Sequence, residues 1–203
     1  MRWCAEPGES LFGAERGCLE FEQSLVSFDK PSSERSSTKD DEVIFVLSGR
    51  GTVSIGGEEV ALAPGSAAWV AAGTAWQVTG AEGLEVLSVL VREPLPANGR
   101  SHAVIAAEDA EDGEATAGRH FRLLATPEHG CASVTQFVGF IPVGRAPDHF
   151  HTYDEVIYIL QGDGALHIEG ETAPLVAGSA VHLPARLVHC LENKGPGEMH
   201  VLG

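Results

Sequence analysis

Four side chains in the last third of the sequence have the types and spacing to hold a metal ion. They are His149, His151, Glu155 and His189, set in Gly144-x4-His149-x-His151-x3-Glu155-x6-Gly162 and then Gly178-x5-Pro184-x-Arg186-x2-His189-x3-Asn193. His149 and His151 are two apart, so on an extended chain both point to one face of a sheet and can grip one ion. A short turn at Thr152-Tyr153-Asp154 returns the chain as a neighbouring strand starting at Glu155, and His189 closes the set from a later strand. Three imidazoles and one carboxylate suit a single divalent first-row metal (Fe, Mn, Ni or Zn), with positions left open for water or a substrate. One histidine on a strand is ordinarily just a strand residue. The joint pattern, inside a framework of glycines, is what points to coordination.

Several neighbours could serve chemistry at such an ion. Arg186, three residues before His189, and Arg145, in the segment leading to His149, could each capture an anionic substrate group through a planar, bidentate guanidinium. Each could equally pair with carboxylates such as Asp148 or Glu192, the reading preferred for Arg145. The two tyrosines of the chain fall in the same stretch. Tyr153 sits in the turn between ligands, where it could touch substrate, and strand alternation from Glu155 turns Tyr158 outward as a packing residue. His182 lies on a strand before Leu183-Pro184 and is a candidate proton donor. His167, Gln136 and Cys190 are weaker candidates, and Cys190, next to a ligand, should point away from the ion.

The elements that position these residues occur twice. A shift of 113 residues lays Gly130-Cys131 on Gly17-Cys18, Glu155-Val156-Ile157 on Glu42-Val43-Ile44, Gly162 and Gly164 on Gly49 and Gly51, and Gly178-Ser179-Ala180 on Gly65-Ser66-Ala67. Each copy reads as short strands between glycine turns. The first copy predicts strands at Glu42–Leu47, Thr52–Ile55, Val60–Leu62 and Ala67–Val70, and the second at Glu155–Leu160, Ala165–Ile168, Ala173–Val176 and Ala180–Leu183. Runs rich in Val, Ile, Phe and Tyr at this spacing indicate an all-β sandwich or barrel, with little helix. Pro94, Pro96 and Gly99 mark a linker, which divides the chain into residues 1–97 and 98–203. The acidic stretch Ala106–Gly118 falls outside the repeat and reads as a solvated loop or short surface helix, with a substrate lid as the alternative.

At the shifted positions the first copy carries Ser36, Thr38, Glu42 and Trp76. Hydroxyls are poor ligands for first-row metals, and an indole has no lone pair to offer, so this copy is expected to be metal-free. Trp76, joined by Trp69, would fill its interior. Its role would then be structural, covering sheet edges and packing against its companion.

The two motifs resemble those of the cupin superfamily, whose members fold as small jelly-roll barrels with one metal in the interior. The resemblance implies an all-β chain of two tandem cupin barrels. His149 and His151 take the place of the paired histidines of the first motif, Glu155 that of its carboxylate, and His189 that of the single histidine of the second. The first motif here has four residues between its glycine and first histidine where the family usually has five, and Arg186 stands where the second motif usually has glycine. No ligand is lost by either departure. The resemblance also implies a homodimer, and it leaves the reaction open among dioxygenases, isomerases, lyases and non-catalytic binders or sensors.

Charge and composition narrow the partners. Lys plus Arg number 13 against 29 Asp plus Glu, a formal net charge of -16. Such a balance disfavours contact with phosphate backbones and anionic membranes, so neither nucleic acid nor a membrane is an expected partner. No apolar run approaches the roughly 18 residues of a membrane span. Met1–Pro7 resembles neither a secretory signal nor a transit peptide, and Cys4, Cys18, Cys131 and Cys190 form no C-x-x-C pair, so a cytoplasmic protein with reduced thiols is expected. The substrate would be a small molecule, with an anionic one favoured if Arg186 faces the ion. The leading expectation is oxygen-dependent, dioxygenase-like chemistry on a chelating enol or carbonyl compound. Redox-neutral isomerisation or elimination, with His182 moving a proton, is the alternative.

Overall fold

A computed structural model of the chain describes residues 10–203. The expectations resting on Met1–Pro7 and Cys4 lie outside the described residues. Within them the chain is built of β-strands, and its helical segments are two three-residue 3-10 turns, Ala14–Arg16 and Pro127–His129. No helix among the described residues is long and apolar enough to cross a membrane. Cys18, Cys131 and Cys190 are buried, and burial pushes the Cys131 thiol up to about 12.

Contacts divide the described chain into two compact units, residues 10–110 with 124–136 and residues 111–123 with 137–203. A single cut near residue 97 therefore does not describe the division. The prolines there do mark a turn in the chain, but His102–Ile105 beyond them pairs with Ala67–Val70. Ala125 and Cys131 pack with Trp69. Backbone pairing and apolar burial, rather than the linker, decide where these segments belong.

The first unit comprises β1 (Ser10–Phe12), β2 (Phe21–Phe28), β3 (Asp41–Ile55), β4 (Glu58–Leu62), β5 (Ala67–Val70), β6 (Trp76–Val91) and β7 (His102–Ile105). They form one antiparallel sheet in the order β1-β2-β6-β3-β5-β7, with β4 paired to β3. Where the sequence predicts two strands with a turn between them, β3 runs straight through, and its register with β6 shifts between Val46 and Ser48 and again between Ser48 and Arg50. Gly49 sits at that bend with φ 74°, and a Cβ there would lie 2.0 Å from the carbonyl oxygen of Gly83, so only glycine fits. One face of the sheet buries Ile44, Val46, Ile55, Ala68, Val70 and Trp76. The other buries Val43, Trp69 and Val91 against Ala125 and Cys131. Trp69 alternates with Ala68 and Val70, so it lies on the face opposite Trp76 and does not fill the same interior.

The second unit comprises β8 (Glu111–Glu114), β9 (His120–Leu123), β10 (Phe137–Ile141), β11 (Gly144–Arg145), β12 (Glu155–Gln161), β13 (Asp163–Ile168), β14 (Glu171–Val176), β15 (Ala180–Leu183), β16 (His189–Asn193) and β17 (Met199–Leu202). Its two sheets run β15-β12-β17-β10-β9-β8 and β11-β16-β13-β14. Ile157, Ile159, Leu166, Leu183, Leu191 and Val201 build its core. The acidic stretch is neither loop nor helix at its centre, since β8 pairs with β9 as the edge hairpin of the larger sheet. Gly113 admits this pairing because the Phe121 ring lies over it, with Cζ 2.4 Å from where a Cβ would stand. Exposed Glu111, Asp112 and Glu114 put charge on the sheet edge, which discourages further strands from adding to it.

Candidate metal centre

His149 and His189 are brought together by their own backbones. Each amide donates to the other's carbonyl, at 3.0 Å from His149 and 2.9 Å from His189. The His189 ring then lies 4.5 Å from that of His149 and 5.4 Å from that of His151, between centroids. The carbonyl of His151 is held by the amide of Arg186 at 2.7 Å. One ring nitrogen from each histidine falls within 4.8 Å of the others, a group able to hold a metal ion.

Hydrogen bonding sets which nitrogens are free. Nδ1 of His149 donates to the carbonyl of Pro147 at 3.0 Å, and Nδ1 of His189 to that of Leu187 at 2.9 Å. With Nδ1 so engaged, the neutral rings keep their lone pairs on Nε2, the form a metal requires. His189 is 3% exposed, and burial lowers its pKa. His151 moves the other way, because Glu155 at the start of β12 places Oε2 3.3 Å from its Nε2 and favours the protonated ring.

These four residues line one cavity of about 190 Å³, whose walls also include apolar Ile157 and Val201. Tyr153 lines it too, stacked on His151 with centroids 5.1 Å apart, and its side chain is largely exposed. Arg186, His182 and Arg145 are not among the lining residues. Arg145 donates to Asp148 at 3.0 Å and to Sγ of Cys190 at 3.1 Å, the carboxylate pairing expected of it. Arg186 has φ 68°, a left-handed conformation that favours glycine, which explains why glycine is usual there in the family the motif resembles. His167 bonds Thr172 and Glu192. The acidic stretch outside the repeat reaches the cavity through Ala115, and Arg119, which follows it in the β8–β9 turn, lines the cavity too.

His182 has a structural counterpart that explains its place. Asp154 holds Nε2 of His182 at 2.9 Å and accepts the amide of Ala185 at 2.9 Å. In the first unit Asp41 accepts the Trp69 indole N–H at 2.8 Å and the amide of Ala72 at 2.9 Å. The same brace is thus built twice, tying β5 to β3 and β15 to β12. Asp41 and Asp154 obey the 113-residue shift, so the repeated Asp-Glu-Val-Ile was the signal that could have found this brace.

The first unit's version of the site corrects the ungapped alignment at two positions. The backbone bridge to Trp76 comes from Arg35, as that to His189 comes from His149. The carbonyl of Ser37 accepts from Gly73 at 2.6 Å, as that of His151 accepts from Arg186. Arg35 and Ser37, rather than Ser36 and Thr38, therefore stand at the histidine positions, and the turn before Glu42 is one residue longer. Glu42 is buried and fully occupied: the Trp76 indole donates to Oε2 at 2.8 Å, the Ser88 hydroxyl to Oε1 at 2.6 Å, and Nη2 of Arg35 approaches Oε1 at 3.4 Å. The Arg35 guanidinium also lies over the Trp76 ring, 5.1 Å from its centroid.

Residues 27–91 and 136–203 both match the family model of the cupin domain, and the chain belongs to the cupin family. Auxin-binding protein 1 of Arabidopsis thaliana is 29% identical to it over 94 residues, 41% of this chain and 47% of that protein. The chain spans about half the length of the curated relatives it matches. Among solved structures, an oxalate decarboxylase of Lactobacillus farciminis in complex with formate superposes with a TM-score of 0.74 at 13% identity, over 90% of this chain and 75% of that one. A mutant salicylate 1,2-dioxygenase of Pseudoaminobacter salicylatoxidans superposes with a TM-score of 0.70 at 11% identity, over 90% and 71%. Identities this low speak for a common fold alone.

Proposed function

We propose that His149, His151, Glu155 and His189 hold one divalent first-row metal ion, and that the chain is a metal-dependent oxidoreductase of dioxygenase type acting on a small chelating enol or carbonyl compound. The observation that carries this reading is the convergence of three imidazole nitrogens within 4.8 Å, beside the Glu155 carboxylate and inside a cavity. The donor set fits such an ion. Nδ1 of two rings is committed to backbone carbonyls, which leaves Nε2 as the donor, and nitrogen with carboxylate oxygen suits iron, manganese, nickel or zinc. When bound, the ion would supply a Lewis-acidic centre that orients and activates a chelating substrate.

The chain's own residues do the rest. Tyr153 stacks on His151 and fixes the plane of that ring. Ile157 and Val201 give the cavity apolar walls against which a small substrate can pack. A redox-neutral isomerase or lyase needs a group to move a proton, and His182, the residue the sequence offers for this, lies outside the lining with Nε2 held by Asp154. His120 and Tyr153 do line the cavity and are groups that can move a proton, so the oxygen requirement decides between the two readings. The test is metal analysis of protein purified without added ions, followed by oxygen uptake with a panel of small enolisable compounds. Substrate-dependent uptake is expected, and turnover that is unchanged without oxygen would exclude the oxygenase reading.

A further inference from the structure

We infer that Arg119 is the anion anchor of this cavity and that the substrate is a small carboxylic acid, its chelating group at the histidines and its carboxylate at Arg119. The inference rests on the metal reading above. Arg119 is the sole Lys or Arg among the residues lining the cavity. It lies in the turn between β8 and β9.

The guanidinium is held by its own turn and left free on one side. Nε donates to the carbonyl oxygen of Thr116 at 3.0 Å and Nη2 to its hydroxyl at 2.8 Å. These bonds use the Nε–Nη2 edge and leave the Nη1–Nη2 end available for the two oxygens of a carboxylate. No carboxylate among the described residues pairs with Arg119, whereas Arg122, Arg145 and Lys194 of the same unit each have one. Arg186, which likewise has no carboxylate partner among the described residues, lies outside the cavity lining, so Arg119 is the cation that this wall presents to a ligand. A cavity of about 190 Å³ limits the ligand to a small molecule.

Two probes separate the carboxylate from the chelating group: butanohydroxamic acid, which is neutral, and the monohydroxamic acid of succinic acid, which carries the same chelating group plus a carboxylate. Binding of each to metal-loaded full-length protein is measured by calorimetry for the wild type, Arg119→Gln, Arg119→Lys and Arg186→Gln, with metal content and melting temperature measured alongside. The wild type should prefer the carboxylate-bearing probe by about tenfold or more, as expected for a charge-assisted bidentate contact. Arg119→Gln should bring the two probes to parity with metal content and affinity for the neutral probe unchanged. Arg119→Lys should keep part of the preference and Arg186→Gln all of it. A wild type that does not distinguish the probes, or a preference that survives Arg119→Gln, overturns the assignment while leaving the metal reading intact. Protein that retains no metal and binds neither hydroxamate overturns the metal reading, and this proposal with it.

Discussion

Glu42 and Glu155 begin equivalent strands in the two units, and what surrounds each decides what it can do. Glu42 is surrounded by donors: an indole N–H, a serine hydroxyl and a guanidinium. Glu155 has one close polar partner among the described residues, Nε2 of His151. Counting from the register pairs Val46–Val86 and Ile159–Val201, the counterpart of Ser88 is Gly203, which brings no hydroxyl. The first unit thus supplies a fixed organic cation, Arg35, stacked on Trp76 where the second presents lone pairs. A carboxylate kept by both copies is enclosed by donors in one and has a single close polar partner among the described residues in the other. Retention of a residue type across a repeat therefore says little about its role until its partners are known.

The comparison can be broken most forcefully at Trp76. Trp76→Ala removes a buried ring and a donor to Glu42, and should cost about 3–5 kcal/mol of stability, read by denaturant unfolding. At the equivalent position His189→Ala should instead spare the fold and lower metal affinity by more than about 100-fold, since loss of second-sphere partners alone costs about 10–100-fold. Full metal content in His189→Ala would remove His189 from the coordination set. Asp41→Ala should destabilise by about 1–3 kcal/mol, because the buried Trp69 N–H and Ala72 amide lose their acceptor. Asp154→Ala should cost less, because Asp154 is only half-buried whereas Asp41 is buried. Equal losses at the two would contradict a tighter brace in the first unit.

Smaller effects sharpen the picture. The packing that covers Trp69 also buries Cys131, whose thiol is raised to about 12 from an ordinary 9.0. A raised folded-state value means that this contribution is complete below pH 9 and declines as pH rises through it, by up to about 1.4 kcal/mol per pH unit, because the unfolded chain releases the proton first. Unfolding free energies measured from pH 8 to 10 should show this slope, and Cys131→Ala should flatten it. Arg186→Gly should relieve the left-handed strain and stabilise by about 1 kcal/mol, seen as a higher melting temperature. A loss of stability there would mean that the Arg186 side chain makes contacts that outweigh the strain.

The all-β character, the duplication and the convergence of His149, His151 and His189 were legible in the linear sequence because they rest on local rules: alternation, glycine turns and ligand spacing repeat at fixed intervals whatever the rest of the chain does. The positions Ser36 and Thr38 were misassigned because a one-residue difference in a turn hardly changes an ungapped alignment, yet only backbone pairing shows that Arg35 faces Trp76. Trp69 was read as filling the interior with Trp76 and His182 as a candidate proton donor, although on a strand one step of alternation moves a side chain to the other face. Arg119 belongs to no ligand motif, and its place at the cavity depends on β9 pairing with β10, a contact between parts of the chain that no local pattern announces. The sequence by itself determined which donors exist and how far apart they lie along the chain. Tertiary structure alone decided which of the two carboxylates is already satisfied and which cation faces the cavity, because both depend on what distant strands bring within hydrogen-bonding reach.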